Sequence, residues 1–386
     1  MDFELSDEQE LIRSKTREIC EKYSASYWRD LDRRKMYPEV FVKELTNAGL
    51  LSTLIPQRYG GAGLGLTDSS IILEEINRSG GNSAACHAQM YIMGTLLRHG
   101  SDEQKNEYLP KIASGELRLQ AFGVTEPQAG IDTARIETFA EKKGGKYVIN
   151  GRKIFTSRVQ HSDLMLLLVR TKRFDQVERK TDGMSIFLVD LRENRDSIKV
   201  SPIETMINHE TNELQIENLQ VPESSLVGHE GEGFKYILDG MNAERILIAA
   251  ECIGDSEFCL GRALDHARSR IVFDRPIGKN QGVQFPISEA YARVQAADLM
   301  RYKAATLFDN GRPCGKEANL AKYLASEASL QSANVAMTTL GGYGMAVTYD
   351  VERKLRESRL FIVAPIPNYM ILSYIGEHVL GLPRSF

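Results

Sequence analysis

In the N-terminal third of the chain, apolar residues recur at three- and four-residue steps, the spacing that lines one face of a helix. Ile12, Thr16, Ile19, Cys20 and Tyr23 follow Ser6-Asp7-Glu8-Gln9, whose Ser-x-x-Gln form is that of a capping box, so the pattern predicts a helix starting there. Pro38 opens a second helix that ends near Asn47-Ala48-Gly49. Leu66–Ser79, Ala84–His99 and Ser101–Ala113 keep the helical period, the last with a capping box of its own. From Leu119 the period becomes two, and the expected strands are Gln120–Val124, Ile136–Lys142, Lys146–Ile149, Lys153–Ser157, Leu164–Arg170, Met184–Leu191, Ile198–Ile203 and Leu214–Val221. Asn150-Gly151 is the dipeptide of a tight hairpin turn, because both central positions of that turn need φ > 0. The charged run Arg173–Asp182 reads as a solvated loop. Past Gly233 the helical period returns in Phe234–Arg270, Val283–Asn310 and Gly315–Leu340. Gly341-Gly342-Tyr343-Gly344 interrupts it, and further helices are expected around Val351–Glu357 and Tyr369–Leu380.

The predicted architecture is therefore a multi-part α+β chain. It has an N-terminal helical domain (1–119), a middle antiparallel β-barrel or sandwich (120–228) and a C-terminal helical bundle (229–386). Composition narrows this picture without changing it: 386 residues, 42% hydrophobic and 26% charged, describe a globular chain with room for a large core. A net charge of −4 gives no general attraction to nucleic acid or anionic membrane, and Lys and Arg form no stripe with interleaved aromatics. An anionic ligand must be held by local cations. The five cysteines, Cys20, Cys86, Cys252, Cys259 and Cys314, are scattered, odd in number and never paired as CxxC. They read as reduced core residues of a cytoplasmic protein, with no disulfide framework and no metal site. The acidic N-terminus and the lack of a long apolar run predict neither a secretion signal nor a membrane span. The glycine-rich loop Gln57–Gly65 lacks the GxGxxG and Walker spacings, so it reads as a turn between helices. Cys86-His87 reads as a packed pair, since no acid partner stands at usable spacing.

Five local signatures in register carry a resemblance over essentially the whole chain. They are VTEP-x-AG within Ala121–Ile136, NG-x-K within Lys146–Ser157, Arg270–Ile277 followed by Gln281, Leu340–Gly344, and Arg353 with Arg356 before the final helix. Together they resemble the flavin-dependent acyl-CoA dehydrogenases. The resemblance implies FAD as cofactor, an acyl-CoA substrate, an electron-transfer flavoprotein as electron partner, and a homo-oligomer of two or four subunits. By motif position it places Phe122, Val124 and Thr125 along the isoalloxazine edge. Phe155, Thr156 and Ser157 would lie over one flavin face, although Phe155 read by spacing alone is an ordinary strand aromatic. Arg270, Phe273 and Gln281 match residues that reach the FAD of a neighbouring subunit, and Gly341 and Gly342 match a stretch lying against the dinucleotide. A guanidinium suits pyrophosphate because its fork donates two bonds at once, while the alternative for Arg270 is a cation stabilising a helix end.

Dehydrogenation of a thioester needs a carboxylate able to take the α proton near neutral pH. In many members of the family a Glu in the loop before the last helix does this, and register puts that position on Pro365. A second group, with isovaleryl- and long-chain-type enzymes, carries the Glu on a helix directly before an Arg. Glu244-Arg245 ahead of Ile246-Leu247-Ile248 matches that pattern, with Glu244 as base and Arg245 on the substrate side. Pro365 also lacks the N–H that helps hold the thioester oxygen in the family, which leaves the amide of Ala364 or Ile366, or a ribitol hydroxyl, to polarise it. Further departures are Ile131 where Ser is usual, Phe155 where Trp is frequent, Thr338 for Gln and Pro367 for Thr. These keep open an oxidase, an enoyl-CoA reductase or a desulfinase on the same fold, and a flavin- or CoA-binding protein without turnover.

Overall fold

The structure, a computed structural model, describes residues 4–384. In chain order it comprises α1 (Asp7–Glu21), α2 (Ala25–Arg34), α3 (Glu39–Asn47), α4 (Leu66–Arg78), α5 (Ala84–His99) and α6 (Asp102–Ala113). Then come β1 (Leu119–Gly123), β2 (Phe139–Lys143), β3 (Lys146–Ser157), β4 (Leu164–Arg170), β5 (Met184–Asp190), the one-turn α7 (Leu191–Asn194), β6 (Ile198–Pro202), β7 (Thr211–Pro222) and β8 (Leu226–Val227). The C-terminal part holds α8 (Gly233–Ser269), the small hairpin β9 (Ile271–Val272) and β10 (Arg275–Pro276), α9 (Gln281–Asp309), α10 (Gly315–Leu340), α11 (Val351–Val363) and α12 (Asn368–Tyr374). The order is the expected one: helices, β module, helices. Both capping boxes form, with Ser6 Oγ accepting from the Gln9 amide and Ser101 Oγ from that of Gln104. The pattern gave no sign of α2, which buries only Trp28 and has no apolar stripe to read.

Two compact units emerge: a helical unit made of residues up to Arg34, Leu64–Ser83 and the chain from Asn242 onward, and a sheet unit made of Lys35–Gly63 and Ala84–Met241. In the sheet unit the strands run β6-β7-β3-β2-β4-β5-β8, with β1 on β4. Pairing is antiparallel except for β1 with β4 and β2 with β4, which are parallel and correct the all-antiparallel expectation. β4 is buried on both faces. Leu164, Leu166 and Leu168 join Ile92, Leu96, Leu109 and Ile112 from α5 and α6, whereas Met165, Leu167 and Val169 join Ile149, Leu214 and Ile216 from β3 and β7. A strand covered on both sides has no polar face, which is why its sequence does not alternate.

Asn150-Gly151 is not the hairpin turn. The β2–β3 turn lies at Gly144-Gly145 (φ +57° and +79°), and β3 runs on through Asn150-Gly151 as one twelve-residue strand. Two adjacent glycines meet the positive-φ requirement at both turn positions. Asn150 instead accepts the Asn218 amide, 2.8 Å, and Gly151 marks a bulge in the ladder with β7.

In the helical unit, α9 packs along α10 and α10 along α11, with Ala290, Ala297, Ala304, Ala318, Ala321, Ala325 and Ala333 buried. Small side chains let long helices approach closely. Buried charges are paired: Arg301 with Glu74 at 2.5 Å, and Lys354 with Asp255 at 2.6 Å and Glu357 at 2.7 Å. The stretch Val351–Val379 reaches a mean hydropathy of 1.2 over an eighteen-residue window. It is interrupted by Pro365 and Pro367 between α11 and α12, and α11 carries the buried Arg353, Lys354 and Glu357.

Candidate active site

Within the sheet unit, two motifs that lie apart in sequence are drawn together at one place. Phe122 and Val124 stand half-buried at the end of β1, alternating with the buried Ala121 and Gly123. The Thr125 carbonyl accepts the Ile154 amide of β3 at 2.8 Å, which ties the loop after β1 to the strand just ahead of Phe155, Thr156 and Ser157. Beneath this bond lies a buried ion pair: Lys153 Nζ reaches Glu126 Oε1 at 2.8 Å and the Val124 carbonyl at 3.0 Å, with both side chains at most 1% exposed. Glu126 also accepts the amides of Glu137 (2.6 Å) and Thr138 (3.0 Å). Burial by itself would raise the Glu126 carboxyl, but Lys153 and the Glu137 amide outweigh it and hold it below its ordinary value. Burial brings the Lys153 ammonium down to about 8 against the opposing pull of Glu126. The Glu of VTEP and the Lys of NG-x-K are thus partners. The resemblance quoted both residues without giving them a role, and their charge at otherwise apolar positions was the available signal.

Beyond the pair, β3 bulges between Lys153 and Thr156. Phe155 takes φ +58° and is 60% exposed, so the ordinary core-aromatic reading of this residue does not hold. A bulky residue at positive φ is strained, and such strain persists where the surroundings enforce it, commonly at ligand sites. Thr156 is buried, yet its Oγ1 finds no partner among the described residues. Ser157 Oγ accepts from Asn208 Nδ2 at 2.8 Å, and Asn212 Nδ2 donates to the Thr156 carbonyl at 3.2 Å, so side chains around β7 fix the end of β3. An exposed ring on a strained bulge beside an orphaned buried hydroxyl suits a planar ligand with a polar edge, and FAD fits that description.

The helical unit carries the second group. Arg270 follows α8, its guanidinium 5.8 Å from the Tyr343 ring, so it lies by the turn containing Gly341 and Gly342. Among the described residues, and apart from their chain neighbours, no atom stands within 4 Å of where a Cβ would be on either glycine. Phe273 sits at the tip of the β9–β10 hairpin and is 93% exposed, and Gln281 opens α9. Arg353 and Arg356 turn inward to structural partners, Glu357 (2.6 Å) and Asp32 (2.6 Å) respectively.

Glu244 and Arg245 lie on α8, and both are buried. Arg245 donates to Asn242 Oδ1 at 2.9 Å while its Nε has no partner among the described residues. Its proton affinity is lowered by burial, with the Glu244 carboxylate opposing. The loop between α11 and α12 holds Pro365, and the Ala364 amide there is already engaged with the Leu360 carbonyl at 3.0 Å. Of the two loop amides that could polarise a thioester, Ala364 is thereby spent.

Sequence models of the acyl-CoA dehydrogenase N-terminal, middle and C-terminal domains match residues 6–116, 121–219 and 231–364. The chain belongs to the acyl-CoA dehydrogenase family, whose members are oxidoreductases that carry FAD. An acyl-CoA dehydrogenase of Mycobacterium tuberculosis is 33% identical over 99% of this chain and 98% of its own length. A glutaryl-coenzyme A dehydrogenase solved with glutaryl-CoA superposes with a TM-score of 0.93 at 31% identity, over 100% of this chain and 98% of that one. PigA in complex with FAD gives 0.91 at 26% identity, over 99% and 100%.

Proposed function

We propose that the protein dehydrogenates an acyl-CoA thioester at its α and β carbons to the trans-2-enoyl-CoA, with Glu244 as the base. The single observation that carries this is a buried carboxylate on α8, in a chain whose loop offers only Pro365 at the family's other base position. Desolvation favours the neutral form of a carboxyl group, which makes its anion a better proton acceptor. Bound FAD supplies the hydride acceptor. Glu244 takes the α proton, Arg245 organises the substrate side, and the Ile366 amide, the remaining loop donor, polarises the thioester carbonyl. Phe122, Val124 and Thr125 line the edge of the flavin, and Phe155, Thr156 and Ser157 cover its face. This assigns the chain to the subgroup with a helix-borne base, and a loop free of the base leaves room for branched or cyclic acyl groups. Equal turnover of straight and branched substrates of one carbon count would argue against that last point.

Electrons then pass to an electron-transfer flavoprotein in the cytoplasm. The three domains correspond to 1–119, 120–228 and 229–386. Arg270, Phe273 and Gln281, with Gly341 and Gly342, complete the FAD site of a neighbouring subunit, so the working form is a homodimer or homotetramer. Exposed Ile271 (55%), Phe273 (93%), Phe285 (61%) and Met345 (72%) give apolar area for such contacts.

The test is anaerobic flavin bleaching across a panel of acyl-CoAs. Wild type is expected to bleach, and Glu244→Gln almost not at all, because the amide is a near-isostere that accepts no proton. Bleaching in Glu244→Gln at the wild-type rate would remove Glu244 as base. Pro365 also supports a second reading, an oxidase reacting with O₂, an enoyl-CoA reductase, or a desulfinase that needs no strong base, for which peroxide release in air or product without reduced flavin is the mark.

A further inference from the structure

Lys322 of α10 is fully buried, an uncommon place for a lysine. Its Nζ donates to the Ile366 carbonyl at 2.9 Å and to Asn368 Oδ1 at 2.7 Å. Asn368 is fixed in turn: its Nδ2 donates to Glu327 Oε1 at 2.7 Å and to Ser326 Oγ at 3.1 Å. The lysine therefore joins α10 to the loop before α12 at one atom, the carbonyl of the residue between the two prolines. Pro365 and Pro367 have no N–H, and the Ala364 amide is engaged by Leu360, so the backbone of this loop has few donors with which to hold itself in place. A buried charge is retained only where its hydrogen bonds are worth the desolvation, and here those bonds go to the loop and to the first residue of α12.

We propose that Lys322 is the positioning residue of this enzyme's carbonyl-activating loop: by holding the Ile366 carbonyl and Asn368 together it fixes the loop segment whose remaining N–H, that of Ile366, polarises the thioester oxygen, the task Pro365 cannot perform. The inference rests on the acyl-CoA reading above. Burial brings the Lys322 ammonium down to about 8, with Arg245 also lowering it and Cys252, Glu327 and Glu244 sustaining it. It thus lies in the electrostatic field of Glu244.

The test uses FAD-loaded enzyme and acetoacetyl-CoA, whose enolate absorbs on its own, so that carbonyl polarisation is read without turnover. Lys322→Met is expected to bind FAD and acetoacetyl-CoA nearly as wild type does, yet to raise the apparent pKa of bound-ligand enolisation by about one unit, a tenfold loss. Ile366→Pro, which removes the N–H itself, is expected to lose about a hundredfold, as for one oxyanion donor. An unchanged enolisation pKa in folded Lys322→Met overturns the proposal. If that variant does not fold, an unchanged pKa in Ile366→Pro overturns it. The base assignment is judged separately by Glu244→Gln, and failure of wild type to bind acetoacetyl-CoA would sink the acyl-CoA reading and this inference together.

Discussion

At the residue scale, Lys153 and Glu126 are the buried pair that holds the loop after β1 against β3 within the sheet unit. Replacing Lys153 by Met would leave a carboxylate buried with only amide donors, and removing one partner of a buried pair costs roughly 3–5 kcal/mol. We expect Lys153→Met to lower the denaturation midpoint and to shed FAD, and Lys153→Met with Glu126→Gln to recover part of the loss. Additive effects in that cycle would refute the coupling. Because Glu126 is held below its ordinary 4.5, its contribution is present above that value and is lost as pH falls through the lower folded one. The stability gap between wild type and Glu126→Gln should therefore narrow on acidification below 4.5. Both residues stood in the quoted motifs, but a motif supplies positions and not partners. Their pairing across the gap between residues 126 and 153 was closed only by the bulged course of β3.

At the element scale, α8 shows how packing overrides propensity. Gly254 lies in its middle, where a Cβ would come 2.2 Å from the Glu74 carbonyl oxygen and 2.9 Å from the Arg78 amide nitrogen of α4. Helix propensity alone favours Ala over Gly by about 1 kcal/mol. Crowding backbone against backbone costs about 1–3 kcal/mol, and a contact this short belongs at the upper end. Gly254→Ala is accordingly expected to be less stable than wild type in urea denaturation, and a higher midpoint would show that α4 yields freely. The helices themselves were legible because capping boxes and three-and-four spacing are local. The β2–β3 turn was misplaced because Asn150-Gly151 and Gly144-Gly145 satisfy the same dihedral requirement, and only pairing with β7 chooses between them.

For the whole molecule, the exposed tip at Phe273 predicts that assembly and cofactor retention are linked. Phe273→Asp should reduce the mass seen by light scattering and weaken FAD binding in parallel, and an unchanged mass would count against the neighbouring-subunit role of this hairpin. The order of helices, strands and helices, the caps, and the identity of the residues available for chemistry follow from the sequence alone, since periodicity and side-chain type act over a few residues. Which of those residues meet is a tertiary matter. Phe155 becomes an exposed ring instead of a core aromatic, Arg353 and Arg356 serve internal ion pairs, and Lys322 finds the Ile366 carbonyl 44 positions further along the chain. The physical reason is that burial and pairing are properties of the packed chain: a lysine and a carbonyl carry no mark in sequence that they will be desolvated together.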